Sequence, residues 1–134
     1  MGYYMYQQET EFFVAKDNLV AMMEAIRALH GKESVKDGGG SHFSWVDYDF
    51  HTITDPVKML EEWRWDAKQD QNGNIASLHF TGEKYGDDKL LFQTIAPFVR
   101  AGSFIQMRGE DGAQWRWVFD GQEMTEQQAK VTWE

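Results

Sequence analysis

The chain has no cysteine and only 2 prolines in 134 residues. Without a thiol it has no disulfide, no thiolate nucleophile and no cysteine-ligated zinc. It is also short of positive charge: 13 Lys and Arg face 22 Asp and Glu, a formal charge of −9. A phosphate-backbone surface needs clustered cations, so direct nucleic-acid binding is not expected. The acids are scattered (Glu9, Glu11, Glu61, Glu62, Asp87, Asp88, Glu110, Asp111, Glu123, Glu126) and build no acidic tail. No apolar run approaches the roughly 20 residues of a membrane span. Met1–Tyr6 lacks the basic and apolar segments of a secretory signal. A protein of the cytoplasm with no membrane contact is expected. Catalytic motifs are missing too. No serine sits in a Gly-x-Ser-x-Gly setting, no dinucleotide fingerprint occurs, and Gly38-Gly39-Gly40 lacks the Gly-Lys-Ser/Thr of a P-loop. Neither an enzymatic activity nor a cofactor is expected.

What is present is apolar and aromatic. A 42% apolar and 15% aromatic composition supports one cored domain over residues 1–134. The chain is arranged around Ser103–Gly121, read as a β-hairpin. A three-residue loop, Glu110-Asp111-Gly112 with Gly112 left-handed, sets Trp115 opposite Met107 and Trp117 opposite Ile105. Gln106, Arg108, Gln114 and Arg116 then share the other face. A one-residue slip would exchange the faces, so this register is preferred. A second hairpin turns at Asn72-Gly73 and pairs Trp65 with Phe80, Ala67 with Leu78 and Gln69 with Ala76. Only Ile75 breaks its alternation.

In chain order, residues 3–14 read as a strand with Tyr4, Tyr6, Phe12 and Val14 on one side. Asp17 is the candidate cap of a helix whose stripe is Leu19, Met22, Met23, Ile26 and Leu29, stopped by Gly31. Residues 32–41 read as a flexible glycine-rich loop and Phe43–Phe50 as a strand. Asp55-Pro56 opens a short helix through Leu60. Gly86-Asp87-Asp88 opens a third, which Pro97 kinks or ends. Ala129–Trp133 closes the chain as a strand, and all six tryptophans fall on expected strands. The expected class is α+β: a mainly antiparallel sheet of about six to seven strands, helices packed on one face, with a ferredoxin-like centre as one possibility.

Two sets of residues are candidates for function. Arg64 and Arg116 sit between tryptophans that point the other way, which puts both guanidinium groups on a solvent-facing sheet surface. With Gln106, Arg108 and Gln114 they form a candidate recognition face, Arg being frequent at binding hot spots. Asp47, Asp49 and His51 recur at period two on one expected strand face, with His42 and Asp55 nearby in sequence. They are the weaker candidates for metal ligation or acid–base work. His79, opposite Asp66, reads as a surface pair. His30 suits a helix C-terminus.

Gly82–Asp88, Ile95-Ala96-Pro97-Phe98-Val99, Gly109–Gly112 and Trp115–Gly121 together resemble a group of small, acidic, uncharacterised proteins encoded by tailed phages and prophages. The likeness covers most of the length and carries no catalytic or binding residue. It implies a non-enzymatic accessory protein of the host cytoplasm that binds a host protein and inhibits or adapts it, for instance an anti-defence factor such as an anti-CRISPR. Two other readings stay open: a small-molecule protein that sequesters a nucleotide signal in an aromatic, Arg-lined pocket, and a metal-dependent enzyme built on Asp47, Asp49 and His51.

Overall fold

The computed structural model describes residues 2–33, 35–37, 40–129 and 133, the side chains of 34–42 excepted. In order they form β1 (Met5–Glu11), α1 (Leu19–Arg27), β2 (Val35–Asp37), β3 (Gly40–His42), α2 (Pro56–Glu62), β4 (Trp65–Gln69), β5 (Ile75–Phe80), α3 (Asp88–Ile95), β6 (Phe104–Gly109), β7 (Gln114–Phe119) and β8 (Met124–Gln128). The class is α+β. A four-stranded antiparallel sheet has the order β1-β6-β7-β8, and β2-β3 and β4-β5 are separate antiparallel hairpins. The centre is not ferredoxin-like. β6, β7 and β8 are a consecutive meander with β1 added beside β6, whereas a split βαβ core interleaves strands from two halves.

The main hairpin has the expected register, with Met107 opposite Trp115 and Ile105 opposite Trp117. Gly109 N–H donates to the Ala113 carbonyl, which closes the three-residue loop, and Gly112 has φ +88°. That backbone conformation is open to glycine at no steric cost. The inward rings meet at Phe92 of α3. Its centroid lies 4.9 Å from Trp65 and 5.3 Å from Trp117, all three being fully buried. Leu19, Met22, Met23 and Ile26 of α1 are buried as expected, as is Leu29 in the turn beyond it, but the helix ends at Arg27, before the expected stop at Gly31, which has φ +96° in that turn. Asp17 is not the cap. It lies inside a 3-10 turn, Lys16–Asn18, that leads into the helix.

β1 departs from simple alternation. Met5, Tyr6 and Gln7 pair with Gly109, Arg108 and Met107, but Thr10 and Glu11 pair with Ile105 and Phe104, so one extra residue is accommodated between Gln7 and Thr10. This bulge exchanges the faces within the strand. Met5 is buried while Tyr4 and Tyr6 are exposed, yet Phe12 and Val14 beyond the bulge are buried. The four do not share one side.

A second bulge corrects the β4–β5 hairpin. Trp65–Phe80 and Ala67–Leu78 pair as expected, but Gln69 pairs with Ile75 rather than Ala76. The Asp70 carboxylate accepts from the amides of Asn72 and Asn74 and from the Asn74 side chain, so the turn spans Asp70–Asn74. Ile75 is thereby turned inward and fully buried.

Asp55 caps α2 by accepting from the Val57 amide, with Pro56 in the first turn. α3 ends at Ile95, and Pro97 sits in the 3-10 turn that follows. The 32–41 loop contains the short β2-β3 hairpin, its Gly38 and Gly39 lying outside the described residues. Among the described residues the last strand is β8; of the expected strand Ala129–Trp133, residues 130–132 lie outside those described. Of the six tryptophans, Trp65, Trp115 and Trp117 lie on strands, whereas Trp63 caps α2, Trp45 lies in a turn and Trp133 is exposed outside any described strand.

Candidate functional site

The two Trp-Arg-Trp triplets have opposite fates. In β7 the second alternates: Trp115 and Trp117 go into the core and Arg116 stays outside. Gln106, Arg108 and Gln114 lie on that same outer face, as the register requires. Arg116 Nε donates to Gln106 Oε1 at 2.9 Å, and its guanidinium lies 5.2 Å from the Phe104 ring. Arg108 lies 5.3 Å over Tyr6, its cross-strand partner on β1. Lys84 repeats the arrangement 5.3 Å over Tyr4, to which it is bridged. Gln106, Gln114, Arg116 and Gln127 border a shallow cavity of about 320 Å³ on this face. Among the described residues, neither Arg108 nor Arg116 has a carboxylate within ion-pair distance.

Arg64 does not belong to that face. The first triplet spans a junction, with Trp63 ending α2, Trp65 opening β4 and Arg64 between them at φ +73°. The left-handed turn points the guanidinium inward. It donates to the Lys84 carbonyl at 2.7 Å and to Asp88 Oδ2 at 2.9 Å. Asp88, 2% exposed, also accepts from Trp65 Nε1 and from the Gly86 amide. Burial pushes the Asp88 carboxyl up, and Arg64, the Gly86 amide and the Trp65 indole pull against it. Trp45 covers the outside of the ion pair, its ring 4.7 Å from the guanidinium and its own φ at +60°. Sequence reasoning missed this cluster because it placed Trp45 and Arg64 on regular strands. The available signal was the glycine pair around Lys84. A Cβ at Gly82 or Gly86 would lie 2.6 or 2.8 Å from the guanidinium nitrogens.

The Asp47, Asp49 and His51 set is not a strand face. Residues Tyr48–Thr52 form a 3-10 turn, started by the Asp47 carboxylate accepting from the Asp49 amide. That local bond offers the backbone an alternative to pairing, and it uses the carboxylate. His51 instead packs on His30, with ring centroids 3.7 Å apart, beyond the end of α1. Among the described residues no three His, Asp or Glu side chains are grouped to hold a metal ion. The His42 side chain lies outside them. His79 does stand opposite Asp66. No described helix is long and apolar enough to cross a membrane.

Compared with protein-family models, with curated proteins and with solved structures, the chain finds no match, so its function has to be argued from these surfaces alone.

Proposed function

We propose that the protein is a non-enzymatic binding protein that docks a host protein on the outer face of its main sheet, as a phage-type accessory factor of the host cytoplasm that inhibits or adapts its target. An anti-defence factor such as an anti-CRISPR is one form this takes. The observation that carries the reading is the state of Arg108 and Arg116. A chain with 22 acidic residues leaves these two cations on one exposed sheet face, over Tyr6 and Phe104, with no described carboxylate in reach. Arg and aromatic side chains are the enriched components of protein-binding hot spots, and a guanidinium donates best to a carboxylate that accepts two parallel bonds. The partner therefore presents carboxylates to this face. The glutamines beside the arginines supply neutral hydrogen bonds around them.

The test is affinity capture from bacterial lysate with the parent protein and an Arg108→Glu/Arg116→Glu variant of unchanged thermal stability. A stoichiometric partner that is recovered by the parent and lost with the variant supports the reading. Equal recovery by both, or no stoichiometric partner at all, overturns it.

A further inference from the structure

Trp45 and Arg64, the only described non-glycine residues with positive φ, are in contact with each other. Left-handed backbone at a bulky residue is strained and persists where the surroundings force it, most often at ligand clamps and switches. Here the result is a tryptophan that is 52% exposed, its ring resting on a guanidinium held from behind by Asp88 and the Lys84 carbonyl. Arg64 Nε is buried and has no hydrogen-bond partner. Beside this pair opens a cavity of about 290 Å³ lined by Trp45, Arg64, Gly82, Glu83 and Lys84.

The lining defines a chemistry. The exposed indole offers a stacking surface for a planar ring, an interaction that tolerates any base. Lys84 lines the cavity and pairs with no carboxylate among the described residues, its ammonium resting 5.3 Å over the Tyr4 ring. Arg64 is neutralised by Asp88, so Lys84 is the cation left for an anion. Glu83, exposed on the same wall, is an acceptor for a ring amino group or a sugar hydroxyl. The volume lies near the lower end of small-molecule sites, about 300–1,000 Å³.

We propose that this cavity binds a mononucleotide, with the base stacked on Trp45, its polar edge toward Glu83 and the phosphate at Lys84. Binding involves no covalent step. The site shares none of Arg108, Arg116, Gln106 or Gln114, so it does not depend on the protein-docking face.

The experiment is calorimetric titration of the full chain with AMP and GMP, each beside its unphosphorylated nucleoside and inorganic phosphate. Saturable binding of one nucleotide is expected, with the nucleoside and phosphate alone each at least about tenfold weaker. Trp45→Ala and Lys84→Gln change partly or largely exposed side chains, so both variants fold, and each weakens the nucleotide at least about tenfold. Arg108→Glu/Arg116→Glu leaves it unchanged. No saturable binding at millimolar nucleotide overturns the proposal. So does binding undiminished in both cavity variants, or inorganic phosphate matching the nucleotide.

Discussion

The side chain of Gln7 substitutes for a peptide group beside Phe80. Its carbonyl oxygen accepts from the Phe80 amide at 2.7 Å, and its Nε2 donates to the Leu78 carbonyl at 2.9 Å. The bulge in β1 is what frees this side chain to bridge the main sheet and the β4-β5 hairpin. A little further on, Val14 and Ile75 exchange backbone bonds at 2.9 Å and join the two sheets a second time. Gln7→Leu leaves a partly buried N–H and C=O of β5 without partners and should cost about 1–3 kcal/mol. Urea denaturation should show a lower midpoint at unchanged slope.

Arg64 and Asp88 should be unequal as single and double variants. Arg64→Met strands a carboxylate that is 2% exposed and should lose roughly 3–5 kcal/mol. Arg64→Met/Asp88→Asn removes the stranded charge and should recover at least about 1 kcal/mol of that loss. A double-mutant cycle of unfolding free energies measures the recovery. Strict additivity would show that the pair is not coupled.

Gly109 lies beneath the ring of Tyr3, where a Cβ would come within 1.6 Å of the hydroxyl. That hydroxyl donates to the Asp111 carboxylate and the ring packs near Trp115, so the N-terminal segment is latched onto the main hairpin turn. Gly109→Ala should therefore destabilise the parent by more than it destabilises a Tyr3→Ala background. Thermal melts of the four proteins give the comparison.

Acid should withdraw the stabilisation that two turn carboxylates supply. Asp70 is held below its ordinary 3.8, first by the Asn74 side chain, and Asp120 likewise, first by the Glu123 amide. A folded-state pKa below the unfolded one gives stability that is present above that ordinary value and lost as the pH falls through the folded value. Asp70→Asn/Asp120→Asn should be less stable than the parent near about pH 6, and its stability should fall less on descending to about pH 2. Unfolding free energies measured across that range decide it.

The tryptophans should separate by position. Trp65, fully buried against Phe80, Phe92 and Trp117, should cost about 3–5 kcal/mol as Ala. Trp45→Ala loses mainly a cation–π contact and should cost no more than about 1 kcal/mol. Chemical denaturation of the two variants checks the contrast.

The sequence makes legible whatever is written in local chemistry. Glu110-Asp111-Gly112 dictates a loop and hence a register, and Asp55-Pro56 a helix start. The outer face of Gln106, Arg108, Gln114 and Arg116 follows from that register alone. Illegible were the features decided by a single inserted residue or by a distant partner. Nothing local marks the bulge at Gln7–Thr10, whose use appears only when Gln7 meets β5. Arg64 between two tryptophans reads as an alternating strand until Lys84 and Asp88 supply a reason to turn inward. Asp47 looks like a strand residue only if its bond to the Asp49 amide is overlooked.

The extra residue in β1 has a wider reach than any substitution. Removing either Gln8 or Glu9 would turn one half of that strand over, burying Tyr4 and Tyr6 or bringing Phe12 and Val14 out into water. Their letters are open to drift, since both side chains are exposed. Their number is not, so chains that keep this architecture should differ in spelling there and agree in count.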